Sequence, residues 1–415
     1  MQDLLVRRSS SNVLGIVLAG GVGSRLYPLT ADRAKPAVPI GGRYRLIDIV
    51  LSNFVNSGIH KIKILTQYKS DSLNKHLSRG WHFPYIVGDY IEAVPAQQRV
   101  DKSWFKGSAD AIYQSLNIIA DEFPDLLCIF SGDHIYKMDI RQMIDFHIMA
   151  DADLTIAAIP MPSSEASAFG VIEVDASWRV QSFEEKPENP KEIPGKPGWS
   201  LVSMGNYIFD PLPLVSQITR DAEDPNSVHD FGKSIIPKMV EDYRVYVYDF
   251  SQNRVPGEPT ESLGYWMDVG TLQNYFEANM DLVSVSPVFN FYNKQWPIHS
   301  YNQSLPPAKF VFADDNRKGM ATDSLVCEGC IISGGSINRS ILSPNVRINS
   351  YANVEDSIIF ENVEVGRNVK LKNCIVDKNI IIPAGERIGF DLERDKQRFF
   401  VTNDGIVVIP KGYVF

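Results

Sequence analysis

The sequence predicts two folds in one chain, an α/β domain with a largely parallel sheet and, after it, a parallel β-helix. Over residues 13–290 short apolar runs alternate with segments that have a helical period. Residues 291–318 are rich in Pro, Asn and aromatic residues and have no period, which is typical of an extended linker. Over residues 319–415 an apolar residue recurs every six positions. Residues 1–12 are basic and rich in Ser, and we expect a mobile tail there.

The α/β prediction depends on four apolar runs and on two amphipathic segments between them. The runs, rich in Ile, Val and Leu, are residues 14–20, 61–66, 126–133 and 154–160. The amphipathic segments are DIVLSNFVNSG (48–58) and DAIYQSLNIIADEF (110–123). Such alternation implies a sheet covered by helices, with ligands at the carboxyl ends of the strands.

The β-helix prediction depends on two six-residue rhythms, interspersed with Gly, Asn and Ser. One consists of Leu342, Ile348, Val354 and Phe360, and the other of Val363, Val369, Ile375 and Ile381. In a β-helix each coil stacks on the previous one and buries a shared column of side chains. The alternative, an irregular β-sandwich, would show alternation with a period of two. The usual work of such a domain is assembly and regulation.

The composition excludes several classes of protein. Hydrophobic residues make up 44% and charged residues 22% of the chain, as in globular proteins. A net charge of −9 argues against a nucleic-acid or membrane partner, and no apolar run reaches the ~18 residues of a membrane helix. The start of the chain lacks a secretory signal, and the four cysteines form no paired framework, so we expect a cytoplasmic protein. Cys327 and Cys330 have no second Cys or His pair nearby, which argues against zinc.

Basic residues concentrate near the N-terminus, around a glycine-rich loop. Residues 1–45 hold seven basic residues and two acidic ones. Gly20, Gly21 and Gly23 follow the first apolar run, and Arg25 comes two residues later. Consecutive glycines leave backbone N–H groups free to surround phosphate oxygens. The spacing fits neither a Walker A loop nor the Gly-x-Gly-x-x-Gly pattern. The loop alone therefore leaves two interpretations, a phosphate site and a tight turn beside a solvated basic face.

Two aspartates and two lysines are candidates for phosphoryl-transfer chemistry. Asp133 follows the apolar run that ends at Phe130, and Asp268 lies within YWMDVGT. Two such carboxylates suit Mg²⁺ held partly by phosphate oxygens, although each alone also fits a helix cap. Lys186 precedes a proline, which predicts an extended backbone and a fixed direction for its ammonium; a charged hairpin end is the alternative. Lys35 has the same Lys-Pro construction. Phosphoryl transfer needs such groups for charge neutralisation and alignment.

From about residue 13 to its C-terminus the chain resembles the ADP-glucose pyrophosphorylase (glucose-1-phosphate adenylyltransferase) family. The matching stretches include LAGGVGSRLYPLT, RAKPAVPIGG, PAQQR, SGDHIYKMD, EEKP, HDFGKSIIPK, YWMDVGT and SLPPAKF. The glycine loop with its downstream Lys-Pro marks sugar nucleotidyltransferases as a group, whereas RAKPAV, HDFGK and LPPAKF point to the ADP-glucose branch. The resemblance implies a Rossmann-like (GT-A type) mixed sheet and a left-handed β-helix. It also implies adenylyl transfer from ATP to α-D-glucose 1-phosphate, the activation step of glycogen biosynthesis.

The resemblance further implies a role for each matching position. The residues implied to bind the nucleotide are Gly20, Gly21, Gly23, Gln97 and Gly107, with Arg99 beside them. The residues implied to act on the departing pyrophosphate are Arg25 and Lys35, and those implied to hold catalytic Mg²⁺ are Asp133 and Asp268. The residues implied to line the glucose 1-phosphate site are Phe105, Gly170, Glu185, Lys186, Ser203, Asp230 and Trp266.

Partners and departures complete what the resemblance implies. It implies a homotetramer controlled by allosteric metabolites. Phe105 stands where relatives commonly have Tyr, Val22 where they often have a basic residue or Gly, and Ser234 where they have an acid. Asp32 replaces a basic residue of activator-sensitive members and bears on the response to a phosphorylated activator.

The alternative functions are those of a UDP- or dTDP-glucose pyrophosphorylase and of a non-catalytic subunit with the same fold. A hexapeptide acyltransferase would need a catalytic His, and residues 308–415 contain none.

Overall fold

The computed structural model describes residues 12–83, 88–97, 104–314 and 316–415, so the expected tail lies outside it apart from Asn12. The strands of the first domain are Val13–Ala19 (β1), Pro39–Ile40 (β2), Tyr44–Arg45 (β3), Lys61–Thr66 (β4), Tyr90–Pro95 (β5), Leu126–Ser131 (β6), His134–Tyr136 (β7), Leu154–Pro162 (β8), Gly170–Val174 (β9), Val180–Glu185 (β10), Trp199–Phe209 (β11), Val245–Asp249 (β12) and Trp266–Asp268 (β13). Its α-helices are Leu46–Asn56 (α1), Asp71–Gly80 (α2), Ser108–Tyr113 (α3), Leu116–Glu122 (α4), Ile140–Met149 (α5), Ser163–Ala166 (α6), Pro211–Ala222 (α7), Ile236–Asp242 (α8) and Leu272–Leu282 (α9).

The main sheet is mixed, which confirms the predicted fold class. Strands β6, β1, β4 and β5 run parallel in that order, while β11 lies antiparallel to β6, β8 and β9. The end of β1 is in register with the ends of β4 and β6, with Ala19 opposite Thr66 and Leu18 opposite Ser131. The loops that follow these three strands therefore leave from one edge of the sheet.

Two helical layers cover the sheet, because its central strands are apolar on both faces. On β1, Val17 packs with the layer that contains Phe54 of α1, whereas its neighbour Ile16 packs with the layer that contains Ile112 of α3. The predicted helix over residues 110–123 is two helices, α3 and α4. Ser115, with φ −110° and ψ 15°, interrupts it.

The second domain is a parallel β-helix, as predicted. Its strands are Lys309–Val311 (β14), Ala313–Asp314 (β15), Arg317–Lys318 (β16), Met320–Thr322 (β17), Leu325–Val326 (β18), Ile331–Ser333 (β19), Ser336–Asn338 (β20), Ile341–Leu342 (β21), Arg347–Ile348 (β22), Asn353–Glu355 (β23), Ile358–Ile359 (β24), Glu364–Val365 (β25), Lys370–Lys372 (β26), Cys374–Val376 (β27), Ile381–Ile382 (β28), Arg387–Ile388 (β29), Phe400–Val401 (β30) and Val407–Ile409 (β31), with one helix, Leu392–Lys396 (α10). These strands form three stacked parallel sheets, apart from the antiparallel pairs β15–β16 and β30–β31.

Each central coil of the β-helix takes 17 residues, and its inward side chains form buried columns. Ile348 pairs with Val365, and Val365 pairs with Ile382, in register and fully buried. A strict six-residue rhythm would give 18 residues per coil. It therefore falls one position out of register with the 17-residue coil after each turn. The predicted column residue Ile381 is therefore wrong: its side chain is 69% exposed, and Ile382 faces inward instead.

Asparagine side chains stack along one turn of the β-helix. Asn345, Asn362 and Asn379 all have φ between +61° and +63°, a left-handed conformation that Asn tolerates better than most residues. The side-chain amide of Asn345 donates to Oδ1 of Asn362 (3.3 Å), and Nδ2 of Asn362 donates to Oδ1 of Asn379 (3.0 Å). This ladder gives each of the three coils the same tight turn.

One face of the β-helix packs on the α/β domain. Ile341, Ile358 and Ile375 on that face belong to the same buried cluster as Leu26 and Leu29, which follow the glycine loop. The two domains thus share a hydrophobic core beside the glycine loop.

Polar contacts add to this interface. Arg33 and Asp377 form an ion pair of 2.6 Å, with side chains no more than 4% exposed. Lys411 lies 3.3 Å from a carboxylate oxygen of Asp32. Asp32, one of the departures from the family pattern, thus lies at the contact between the domains.

The stretch expected to be a linker is ordered along both domains. Trp296 is buried and donates from Nε1 to Oδ1 of Asn53 in α1. Lys309–Val311 already pairs with Ile331–Ser333 of the β-helix. The first coil of the β-helix therefore begins within residues 291–318.

Candidate active site

A cavity of about 530 Å³ opens at the sheet edge where β1, β4 and β6 end. Its lining residues come from the glycine loop, from the segment around Lys35, from the start of α3 and from the loop after β6. They are Leu18, Ala19, Gly20, Gly21, Val22, Gly23, Ser24, Arg25, Leu26, Lys35, Pro36, Leu65, Gln67, Phe105, Gly107, Ser108, Ala111, Ser131, Asp133 and Gly270. The structure therefore brings the predicted glycines and Arg25, Lys35 and Asp133 to one cavity.

The glycine loop keeps its shape through Gly23. Its φ of +64° is left-handed, and a Cβ there would lie 3.0 Å from Cβ of Lys35 and 3.2 Å from Cγ2 of Thr30. The Thr30 hydroxyl also donates to the Gly23 carbonyl (2.9 Å). Around Gly21, by contrast, a Cβ would meet no described atom within 4 Å, so the loop presents bare backbone to the cavity.

The two predicted aspartates meet through a pair of short strands. Strands β7 and β13 pair antiparallel, with Asp268 opposite His134, and this pairing places Asp268 beside Asp133 at the end of β6. The ammonium of Lys35 lies between them, 2.7 Å from Oδ2 of Asp133 and 3.2 Å from Oδ1 of Asp268. Arg25 reaches the same place, because a Cβ on Gly270 would lie 3.3 Å from its Nη1 and 2.6 Å from Oδ2 of Asp268.

Charge keeps this cluster ionised in spite of its burial. Burial opposes the charged form of Asp133, but the charges of Lys35 and His134, with hydrogen bonds from Lys35 and Ser131, hold the pKa of Asp133 well below its usual range. Burial likewise opposes the charge of Lys35, and Asp133 and Asp268 together raise its pKa. A buried cation between two carboxylates results, which is a site prepared for charged phosphate chemistry.

His134 joins the aspartates and was not predicted as a site residue. Its Nε2 lies 3.5 Å from Oδ1 of Asp133 and 3.7 Å from Oδ1 of Asp268. Within the described part of the chain, Asp133, His134 and Asp268 form the group whose ligand atoms all lie within 4.8 Å of one another. Its position next to Asp133 in the sequence was the only signal for it. Hard carboxylate oxygens at such spacing fit a divalent cation such as Mg²⁺.

A second group of predicted residues collects beside the ribbon formed by β7 and β13. Gly170 and Glu185 are paired residues of β9 and β10. A Cβ on Gly232 would lie 2.5 Å from Oε2 of Glu185, so the segment that begins at Asp230 packs against this carboxylate. The ammonium of Lys186 donates to Oε1 of Glu185 (2.7 Å).

Aromatic rings join this second group to the aspartates. Trp266 lies between Phe169 and His134, with ring centroids 5.2 Å from each. Ser203, on β11, is buried and hydrogen-bonded to the hydroxyl of Tyr207. Burial raises the pKa of that hydroxyl, and the charges of nearby Glu185 and Asp230 raise it further. Tyr207 is thus a further residue of this group that sequence reasoning missed.

The expected backbone conformation of Lys186 is wrong. Its φ is +54°, in the left-handed region, and its N–H donates to the carbonyl of Phe169. This hydrogen bond continues the antiparallel pairing of β9 and β10 by one residue, and it accompanies a backbone conformation that differs from the extended preference of a residue before proline. The side chain of Lys186 is 54% exposed.

Phe105 lines the glycine-loop cavity. Its backbone N–H donates to Oε1 of Gln67 (2.7 Å), and a Cβ on Gly20 would lie 3.9 Å from its ring. Gln97 lines a separate cavity of about 290 Å³ behind Phe105 and does not line the glycine-loop cavity. Arg99 lies outside the described residues.

The structure also locates Val22 and Ser234, the other two departures from the family pattern. Val22 is exposed and lines the glycine-loop cavity. Ser234 is buried, and its hydroxyl oxygen lies 3.0 Å from that of Ser227. All four cysteines are free thiols. No helix in the described ranges has the length and apolar character needed to cross a membrane.

The fold and the site define a nucleotidyltransferase that carries a hexapeptide β-helix. The family model described as Nucleotidyl transferase matches residues 14–285, and one described as GlmU-like, C-terminal hexapeptide matches residues 306–409. Curated relatives extend the likeness over both domains. A protein of Anaeromyxobacter sp. (strain Fw109-5) named glucose-1-phosphate adenylyltransferase is 58% identical over 405 residues, 97% of this chain and 98% of that protein.

Two less similar proteins carry the same name. The one from Corynebacterium jeikeium (strain K411) is 52% identical over 98% of this chain and 100% of its own length. The one from Aliivibrio fischeri (strain ATCC 700601 / ES114) is 52% identical over 97% of this chain and 98% of its own length. The chain belongs to the glucose-1-phosphate adenylyltransferase family.

Proposed function

We propose that this chain transfers the adenylyl group of ATP to α-D-glucose 1-phosphate and releases ADP-glucose and pyrophosphate. One observation carries the proposal: Lys35 lies between Asp133 and Asp268 at the mouth of the glycine-loop cavity. The support for ATP and glucose 1-phosphate as substrates is the name of relatives that are 50% to 58% identical over nearly the whole chain.

The reaction needs alignment and charge neutralisation more than acid–base catalysis. The phosphate of glucose 1-phosphate is already ionised at neutral pH. One of its oxygens attacks the α-phosphorus of ATP in line with the bond to the departing pyrophosphate. As the new P–O bond forms, the old one breaks, and its electron pair leaves with pyrophosphate. No proton has to be removed from the attacking oxygen.

On the nucleotide side, we propose that backbone N–H groups of Gly20, Gly21 and Gly23 surround the triphosphate. Arg25 is exposed at the cavity, and its guanidinium is free to meet the charge that develops on pyrophosphate. Lys35 adds a second cation to the same wall. These groups act most strongly in the transition state, where negative charge moves onto the leaving group.

We propose that Asp133 and Asp268 hold Mg²⁺, since the donor set of hard carboxylates fits this ion. When bound, the ion supplies charge neutralisation at the phosphate oxygens. Lys186 and Glu185 would then bind the sugar phosphate, Lys186 through its partly exposed ammonium. Ser203 and Trp266 would line the sugar pocket.

Pyrophosphate release with glucose 1-phosphate and each of ATP, UTP, GTP and dTTP tests the proposal. We expect kcat/KM for ATP to exceed that for the other nucleotides by at least about 100-fold. Asp133→Asn is the matched control, because it should abolish release by this site and expose any contaminating activity. Equal turnover with UTP or dTTP would replace the assignment with a pyrophosphorylase for that nucleotide sugar. No release with any nucleotide would support a non-catalytic subunit.

Further properties follow from family membership and are proposals here. We propose that the enzyme depends on Mg²⁺, is a cytoplasmic homotetramer assembled partly through its β-helix, serves glycogen biosynthesis and responds to allosteric metabolites. Light scattering of the whole chain tests the tetramer. Activity assays with and without chelator, and with common phosphorylated metabolites, test the other two biochemical claims.

A further inference from the structure

His229 forms a buried pair with Asp221 that none of the roles above uses. Asp221, at the end of α7, is 2% exposed and His229 14%. Nδ1 of His229 lies 2.9 Å from Oδ2 of Asp221. Because an ionised carboxylate only accepts hydrogen bonds, Nδ1 carries the hydrogen. The hydroxyl of Ser227 donates to the other oxygen of Asp221 (2.7 Å) and accepts from the backbone N–H of His229 (3.0 Å).

This pair holds His229 in a strained backbone conformation. Its φ is +53°, in the left-handed region that non-Gly residues adopt uncommonly, although His adopts it more often than most of them. Strain of this kind persists where surrounding contacts impose it, and it is concentrated at functional sites. The contacts that impose it here are the ring bond to Asp221 and the N–H bond to Ser227.

The strained residue directs its carbonyl at the rim of the glycine-loop cavity. The carbonyl of His229 accepts from the backbone N–H groups of Ala109 (2.9 Å) and Asp110 (3.3 Å) at the start of α3. It also lies against Gly107, where a Cβ would approach it to 2.2 Å, so this position has room only for Gly. Gly107 and Ser108 line the cavity proposed for the nucleotide.

The next residue extends the same contact to the sugar side. Asp230 accepts from the hydroxyl of Ser108 (2.9 Å) and from the backbone N–H groups of Gly232 (3.0 Å) and Lys233 (3.2 Å). Gly232 in turn packs against Glu185. One short segment therefore touches the walls of both proposed substrate sites.

We infer that His229 is a positioning residue that sets the spacing between the nucleotide and sugar-phosphate sites through its bond to Asp221. The inference rests on the proposed function for the identity of the two substrates. It predicts that losing the bond raises KM for both substrates together, because Gly107 and Asp230 lose a common anchor. The chemical groups around Asp133 are not touched, so kcat should change little.

Two substitutions separate the bond from the strain. In His229→Asn the side-chain amide places a donor where Nδ1 stands, and Asn tolerates positive φ. In His229→Gly the backbone can keep its conformation, while the ring, its packing and its bond to Asp221 are lost. We expect His229→Asn to stay within about threefold of the parent in both KM values. We expect His229→Gly to raise KM for ATP and for glucose 1-phosphate by about tenfold each, with kcat within threefold.

His60→Ala is the matched control. His60 also pairs with an aspartate, 3.1 Å from Asp89, but it precedes β4 at the opposite end of the sheet from the site. It should leave both KM values at the parental level. The inference is overturned if His229→Gly keeps both parental KM values, if His229→Asn is as impaired as His229→Gly, or if His60→Ala shows the same rise. If the parent prefers another substrate pair, the proposed function fails, and the same ratios measured with that pair still test His229.

Discussion

Gly23→Ala is a demanding test of the glycine loop, because the structure gives two separate costs for it. The left-handed φ of +64° costs an L-residue about 1–2 kcal/mol. The new Cβ would also lie 3.0 Å from Cβ of Lys35, which belongs to a buried turn and has little room to move; such overpacking costs about 1–3 kcal/mol. We expect the free energy of unfolding to fall by about 2–5 kcal/mol.

The same contact predicts a loss of activity. A push on Lys35 moves its ammonium relative to Asp133, and small displacements of a charged group lower the rate by up to about 100-fold. We therefore expect kcat to fall by about 10- to 100-fold, measured by pyrophosphate release beside chemical denaturation. Gly195→Ala is the control for backbone strain alone, since φ is +79° and no described atom lies within 4 Å of the new Cβ. If Gly23→Ala matches Gly195→Ala in stability and the parent in kcat, the reasoning is refuted.

Four other substitutions test other parts of the chain. Asp133→Asn should lower kcat by about two to four orders of magnitude in a folded enzyme, because a metal ligand is lost; parental kcat would contradict this. Lys186→Ala should raise KM for glucose 1-phosphate by about 10- to 150-fold and leave kcat within threefold, since a charge-assisted bond of roughly 1.5–3 kcal/mol is present in both ground and transition states. The measurement is steady-state kinetics with each substrate varied in turn, and a lower kcat with an unchanged KM for glucose 1-phosphate would refute this role of Lys186. Arg33→Met should cost about 3–5 kcal/mol in chemical denaturation because it leaves Asp377 buried without its partner, and a cost under about 1 kcal/mol would contradict this. Burial, with nearby positive charge, lowers the pKa of Lys378 to about 8 from 10.5, so between these values the unfolded chain binds the extra proton and stability rises with pH. From about pH 7.5 to 9.5 the parent should gain on the order of 1–2 kcal/mol over Lys378→Gln, and parallel stability curves would exclude this.

Local patterns predict the elements of this fold well where burial is complete. Within the predicted run 126–133, the strand Leu126–Ser131 is buried as far as Phe130, because a central strand of such a sheet is apolar on both faces. The order of strands could not be predicted in the same way. The antiparallel strand Trp199–Phe209 joins the sheet through pairings with residues far away in sequence. The break at Ser115 depends on packing that a helical period does not record.

The candidate site shows the same division. Asp133 and the glycine loop follow strands, so their common edge was predictable from the strand pattern. His134 and His229 were not predicted, since each takes its place from a partner brought near only by folding. The conformation of Lys186 depends on a hydrogen bond to Phe169, which has more influence than the local preference before proline.

The coil length of the β-helix restricts how this domain can change in size. A duplication or deletion of 17 residues between equivalent points, such as Ile348 and Val365, adds or removes one whole coil about 4.8 Å high. Every column of buried side chains then stays aligned. An insertion of one residue within a strand would instead turn the following side chains from the interior to the solvent. Variants of the β-helix that still fold should therefore differ by whole coils, with smaller insertions confined to the turns between its strands. Its height, and with it the surface that it offers to neighbouring molecules, changes in fixed steps.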